Sequence, residues 1–268
     1  MSTGNRGKSS FGPKGGRQDH FSRPAPPRPS DPFDGVLLVD KPSGPTSHDI
    51  VSKIRKTFRF KKVGHGGTLD PQATGLLLIL VGRGTKLSEL FISSDKTYEG
   101  TLTLGVATDS QDADGKVVQE SDPGLVTAEQ VEAEMRKLTG DLMQTPPMVS
   151  AVKVDGVPLY KRARKGQTVE REPRLIHVYE FSMTGFRLPE ADFVLRCTKG
   201  TYVRTLCADI GDALGCGAHL SRLRRTVCGE MEIENAVPVD ELLAMERNSL
   251  GRIIIPIRKF AGYPGVKI

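Results

Sequence analysis

The stretch Gly64-His65-Gly66-Gly67-Thr68-Leu69-Asp70-Pro71-Gln72-Ala73-Thr74-Gly75 decides how the rest of this chain is read. Gly64, Gly66 and Gly67 let backbone approach a ligand or a neighbouring strand closely. His65, Thr68 and Asp70 supply polar groups, and Pro71 fixes the exit from Asp70. The pattern is not a Walker phosphate loop, because the Lys-Ser/Thr end is missing and a carboxylate repels phosphate. A carboxylate held in a Gly-rich loop suits covalent or acid–base chemistry better. The competing reading of the same residues is an aspartate that caps its own turn.

Working outward, Val36-Leu37-Leu38-Val39 reads as a buried strand, ended by Lys41-Pro42-Ser43-Gly44-Pro45. Ser47 is the expected cap of a helix carrying Ile50, Val51, Ile54 and Phe58 on its apolar face. Lys53, Arg55, Lys56, Arg59, Lys61 and Lys62 occupy its other face and the loop that leads toward Asp70, with no acid between Asp49 and Asp70. Leu76 to Val81 reads as a central strand, and Tyr98, Leu102, Leu104 and Val106 alternate as a strand that begins at Tyr98. Thr127-Ala128-Glu129-Gln130 resembles a capping box. Ala151 to Val154 reads as a strand before an Asp155-Gly156 turn, and residues 192–198 as another strand. The segment Lys199-Gly200-Thr201-Tyr202-Val203-Arg204 falls at a strand-to-helix junction, and Gly215 ends that helix. There Arg204 is a candidate partner for a carboxylate, lowering its pKa, and Tyr202 a candidate floor for a base pocket. A helix start with an exposed Arg and a core Tyr is the alternative. Strands and helices interleave without a regular βαβ rhythm, so the expected class is mixed α/β (α+β), not a doubly wound sheet.

The net charge of +6 points to a polyanionic partner, but its distribution matters. Residues 1–33 hold six basic and two acidic residues, leaving 32 and 30 for the remainder, so the tail carries +4 of the charge. This Gly/Pro/Ser/Arg-rich tail buries too little apolar surface to offset ordering entropy and is expected to be disordered. Two further basic groups, Lys161/Arg162/Arg164/Lys165 and Arg222/Arg224/Arg225, suit phosphate contacts or, equally, a solvated face. No run of about 18 apolar residues and no apolar leader is present, which predicts a cytoplasmic protein that does not enter the membrane. Cys197, Cys207, Cys216 and Cys228 lack zinc spacing and read as reduced core thiols; no metal is expected.

At this point six ordered motifs resemble those of the TruB-type pseudouridine synthases. They are Asp40-Lys41-Pro42-Ser43-Gly44, the stretch 64–75, Asp95-Lys96-Thr97-Tyr98, Thr108-Asp109-Ser110-Gln111-Asp112-Ala113-Asp114-Gly115, residues 199–205, and Gly215-Cys216-Gly217-Ala218-His219-Leu220. The resemblance implies a pseudouridine synthase fold, a mixed and largely antiparallel sheet flanked by helices with a catalytic cleft across it. It implies isomerisation of the T-loop uridine (position 55) of tRNA by base flipping, with no cofactor, no obligate protein partner and a monomeric enzyme. Asp70 would be the catalytic carboxylate. Tyr98 would stack on the base and accept a proton at C5, Arg204 would pair with Asp70, and Tyr202 and Leu223 would line the uracil pocket. His65 would fill the gap left by the flipped base, Asp109 would lie in the substrate cleft, and Lys41 and Pro42 would support the loop.

The implied catalytic domain spans 34–250, with 251–268 a short C-terminal segment too small for the RNA-binding PUA domain of many relatives. Bacterial members usually carry Thr where this chain has Gly66, so a hydroxyl contact is expected to be lost there. A guide-RNA-directed enzyme acting on rRNA and a non-catalytic RNA-binding protein are the alternatives that the same motifs allow.

Overall fold

Burial separates the chain's strands into two kinds. Leu76 to Val81 are all buried, because both faces of their strand are covered. Glu190–Cys197 instead alternates between exposed and buried, as a strand with one solvated face does. The computed structural model describes Gly4 and residues 31–266 except 151, 155, 160, 161, 163–165, 168 and 264. The expected tail therefore lies almost wholly outside the described residues, as do Ala151, Asp155, Lys161, Arg164 and Lys165.

The strands are β1 (Gly35–Lys41), β2 (Val63–His65), β3 (Thr74–Val81), β4 (Lys96–Leu104), β5 (Val106–Thr108), β6 (Val117–Glu120), β7 (Gly140–Gln144), β8 (Lys153–Val154), β9 (Val157–Pro158), β10 (Arg174–Arg187), β11 (Glu190–Cys197), β12 (Ala218–Cys228), β13 (Met231–Glu232), β14 (Val237–Pro238) and β15 (Ile255–Pro256). Eleven of them form one sheet, whose main path runs β14-β1-β3-β12-β4-β11-β10-β7. Every pairing in it is antiparallel except β1–β14 and β3–β12. The expected mixed, largely antiparallel sheet is what forms. The fully described α-helices are α1 (Ser47–Thr57), α2 (Ser88–Ser93), α3 (Ala128–Lys137), α4 (Val203–Ala213) and α5 (Val239–Ala244).

Three apolar clusters hold the layers together. Leu77, Ile79 and Val81 of β3 pack with Ile50, Val51 and Ile54 of α1, while Leu76, Leu78 and Leu80 pack against Leu87, Phe91 and Phe260 on the opposite face. The third cluster joins Val131 and Met135 of α3 and Leu206 and Ile210 of α4 to β4, β10 and β11. Each fully buried aliphatic side chain contributes about 1.5–3 kcal/mol. Ile254, Ile257 and Phe260 are buried, so the packed unit runs on past 250, the boundary expected from sequence. No helix among the described residues is long and apolar enough to cross a membrane.

Two details differ from expectation for local reasons. The cap of α1 is Thr46, one residue earlier, in a reciprocal capping box with Asp49. Ser47 is freed for another task described below. The strand carrying Tyr98 starts at Lys96, where pairing with Cys197 and Cys228 already begins. The capping box at Thr127 forms with Gln130 as read.

The sheet has one narrow join. β3 meets β12 through two residue pairs only, Thr74↔Arg224 and Gly75↔Arg225. There the two strands run parallel, and the loop 66–73 leaves the sheet beside them.

Candidate active site

The loop between β2 and β3 is pinned on the inside so that Asp70 turns outward. Leu69 is buried in the α1 cluster. Ser47 Oγ accepts from Leu69 N at 2.9 Å and donates to Leu69 O at 3.0 Å. The next residue, Asp70, keeps half of its side-chain surface open (50%). Lys41 is fully buried, and its Nζ donates to Pro42 O (2.9 Å), Pro71 O (2.9 Å) and Ala73 O (2.7 Å). On the other side Arg225, 1% exposed, donates from Nε to Leu76 O at 2.8 Å and reaches the carbonyls of Thr68 and Gly67 at 3.4 and 3.3 Å. Two buried cations thus close around the two ends of the loop. Gly75 has φ +96°, and a Cβ there would lie 2.3 Å from Arg225 O, so only glycine passes at this crossing.

Arg204, the second residue of α4, ties three segments together. Its NH2 lies 3.4 Å from Asp70 Oδ2 and donates to Val149 O at 2.7 Å, and its NH1 donates to Asp112 Oδ2 at 3.0 Å. Asp112 is held in turn by Ser110 Oγ at 2.5 Å. The start of α4 is fixed by Gln144, whose amide accepts from Tyr202 N at 2.7 Å and donates to Tyr202 O at 3.1 Å.

Charge and burial act on these groups in opposite senses. Withdrawal from bulk water pushes the Asp70 carboxyl above the usual carboxylate range. The charges of Asp112 and Asp114 add to that push, while Arg204 and Lys41 pull it back. The sequence reading has Arg204 depressing this pKa. Arg204 does act in that direction, but it is shared with Asp112 and burial outweighs it. Although Asp70 sits deep in the cleft, solvent reaches half of its side chain and screens its neighbours' charges. Burial brings Lys41 down to about 8, against the attraction of Asp70. Burial raises Tyr98 to about 12, opposed by the Arg225 guanidinium beside it. At neutral pH Tyr98 is therefore an uncharged phenol, suited to stacking and carrying no phenolate to accept a proton. Burial, followed by the charges of Arg225 and His48, lowers His65, so its imidazole is neutral.

Asp70, His65, Tyr98, Tyr202, Arg204 and Leu223 line a single cavity of about 360 Å³. Lys41 holds the loop from beneath and Pro42 supplies one of the carbonyls it binds. Asp109 is elsewhere: it is exposed, and its carboxylate accepts from Lys116 N at 2.8 Å in the β5–β6 turn. The acid of that motif that reaches Arg204 is Asp112.

The basic group of β12 does not form a phosphate patch. Arg225 is buried under the loop, Arg224 pairs bidentately with Asp40 at 3.0 and 2.7 Å, and Arg222 meets Glu190 and Asp192. Strand alternation was the available signal, since Leu223 and Arg225 share a face and a pocket role for one implies it for the other. Gln144 and the Val149 carbonyl left no such mark, because the Gln144 side chain binds the backbone of the distant Tyr202 and Val149 acts through its own carbonyl.

Residues 55–203 match the TruB family pseudouridylate synthase N-terminal domain, and residues 204–260 match the tRNA pseudouridylate synthase B C-terminal domain. The chain belongs to the TruB family. The tRNA pseudouridine synthase B of Opitutus terrae is 51% identical over 234 residues, which cover 87% of this chain and 97% of that protein. The tRNA pseudouridine synthase B of Syntrophotalea carbinolica is 42% identical over 237 residues, 88% of this chain and 78% of that one. Among solved structures, a chain of a Cbf5–Nop10–Gar1 complex superposes with a TM-score of 0.67 at 29% identity, covering 85% of this chain and 61% of its own length. A chain of an H/ACA RNP bound to a substrate RNA containing 2′-deoxyuridine superposes at 0.64 and 26% identity, over 85% and 60%. The chain thus spans about three fifths of these structural relatives, and its fold is the pseudouridine synthase fold.

Proposed function

We propose that this TruB-family chain isomerises the T-loop uridine at position 55 of tRNA to pseudouridine, with Asp70 as the essential carboxylate. The observation that carries the reading is the placement of Asp70: half open, on a loop pinned from inside, with the Arg204 guanidinium 3.4 Å away. A base cannot be worked on inside a stack, so the uridine is flipped into the cleft. Tyr98 stacks on it as a neutral phenol, Tyr202 and Leu223 enclose it, and neutral His65 fills the gap left behind. Asp70 acts on the nucleoside as the bond from C1′ to N1 breaks and the ring rejoins through C5. The product has the atoms of the substrate, so the reaction calls for no redox partner.

Affinity for RNA is supported by the α1 side of the cleft. Lys53, Arg55, Lys56, Arg59, Lys61 and Lys62 are all exposed, none is held in an ion pair among the described residues, and the run ends at β2 beside His65. Such a ridge suits the phosphates of the T-arm, which supply affinity without reading sequence.

The test is an unmodified tRNA transcript treated with the protein alone, with carbodiimide labelling and primer extension at the T-loop. Wild type is expected to give a stop there and Asp70→Asn none. Ample product from Asp70→Asn would sink the assignment of Asp70, and a requirement for a guide RNA would sink the choice of substrate.

A further inference from the structure

Among the described residues four buried side-chain atoms have no hydrogen-bond partner: His65 Nδ1, Ser150 Oγ, Arg171 Nε and Arg204 Nε. Three of the four belong to residues that line the Asp70 cleft. His65 and Arg204 already have roles there, whereas Ser150 has none. It is 5% exposed, and its hydroxyl is both a donor and an acceptor that can rotate to suit a partner. An unpaired buried hydroxyl is unfavourable, and alanine at the same place would avoid that loss.

The segment that carries Ser150 is held in register with the site. Gln144 grips the Tyr202 backbone at one end of it, and the Pro146 carbonyl accepts from Arg171 NH1 at 3.1 Å. The Val149 carbonyl, one residue before Ser150, accepts from the same Arg204 nitrogen that faces Asp70. Ser150 is thus held in the wall of the cleft, next to the carbonyl gripped by the residue that faces the carboxylate.

We infer that Ser150 is a substrate-binding residue whose hydroxyl completes its hydrogen bonding with a polar group of the nucleoside held against Asp70. The inference rests on the pseudouridine synthase reading above. A merely tolerated serine predicts no effect on turnover when the hydroxyl is removed. A substrate contact predicts an effect on turnover with none on folding, because the free protein makes no bond there to lose.

The experiment compares wild type, Ser150→Ala and Ser150→Thr on one tRNA transcript, measuring kcat and KM alongside the thermal midpoint. Ser150→Ala is expected to lower kcat/KM about tenfold, as one lost substrate hydrogen bond does, with an unchanged or slightly raised Tm. Ser150→Thr keeps the hydroxyl and is expected to recover most of the loss. Wild-type kcat/KM in Ser150→Ala overturns the inference while leaving the pseudouridine synthase reading intact. A fall that tracks a lowered Tm and is not recovered by Ser150→Thr assigns a structural role and also overturns it. Absence of product from wild type removes both.

Discussion

Replacing Lys41 by Met removes the clamp beneath the catalytic loop while keeping its volume and apolar stem. Three charge-assisted hydrogen bonds are lost, worth about 1.5–3 kcal/mol each. Against this, the variant escapes the penalty of holding an ammonium out of water. The fall from 10.5 to about 8 puts that penalty, net of the attraction of Asp70, at ~3.5 kcal/mol, from ~1.4 kcal/mol per pKa unit. Pro71 O keeps the Gly44 N–H at 2.9 Å, which softens the loss at one oxygen. The balance is a destabilisation of about 3 kcal/mol, within the ~5–15 kcal/mol stability of an ordinary domain. The fold should survive, and the disorder should fall on residues 70–73. If that energy is what holds Asp70 in place, kcat drops about 100-fold. Single-turnover rates on a tRNA transcript, with urea denaturation of the same samples, measure both quantities. Turnover within threefold of wild type by a folded Lys41→Met protein would refute the clamp.

The same lysine adds a pH-dependent contribution to stability that Lys41→Met lacks. Its folded pKa lies below its unfolded one, so between about 8 and 10.5 the unfolded chain holds more protons and stability rises with pH; below about 8 the penalty is constant. Denaturation midpoints of wild type and Lys41→Met should therefore diverge above about pH 8, with wild type gaining, and parallel curves would contradict it.

Further expectations follow from the other contacts. Asp70 lies above the usual carboxylate range, so the acid limb of the pH–rate profile should fall at higher pH than for an ordinary aspartate, and Asp70→Asn should unfold no earlier than wild type. Gly66→Thr should destabilise by about 1–3 kcal/mol, since a Cβ there comes 2.7 Å from Phe91 Cβ, a contact that shortening the Phe91 side chain to alanine would leave in place; calorimetry of Gly66→Thr beside wild type decides it. Arg55→Ala, Lys56→Ala and Arg59→Ala together should lower the slope of log Kd against log salt for tRNA by up to about 2, and an unchanged slope would remove the ridge from the RNA interface.

The sequence was most legible where one side chain acts by itself on a regular element. The run Leu76–Val81 reads as a central strand and is one, covered on both faces, and the apolar residues of α1 were spaced for one buried side. Asp70, Tyr98, Tyr202, Arg204 and Leu223 carry no such local signal. Their order along the chain, matched to a family, is what brought them together, and the cleft geometry is consistent with that grouping. Misplacement came where neighbours in sequence face different ways. Asp109 and Asp112 are three apart in one acidic loop, yet one binds a turn amide and the other Arg204. Arg222, Arg224 and Arg225 read as one patch, but each ends on a different set of partners. Contacts made by main-chain carbonyls, such as that of Val149, leave no residue-type signature at all. The Gly66 site shows a compensation that only packing could reveal, because Phe91 fills the space a threonine side chain would need.

The two buried cations around the catalytic loop have a consequence for how the enzyme meets its surroundings. Lys41 and Arg225 bind neutral carbonyls with almost no exposure, so dissolved ions cannot screen those bonds as they screen the exposed lysines and arginines of α1. On the proposed function, capture of RNA is thereby open to the ionic atmosphere and the loop that carries Asp70 is electrically insulated from it. Changing ionic conditions is then expected to alter how much RNA arrives, while the Asp70 loop keeps its shape.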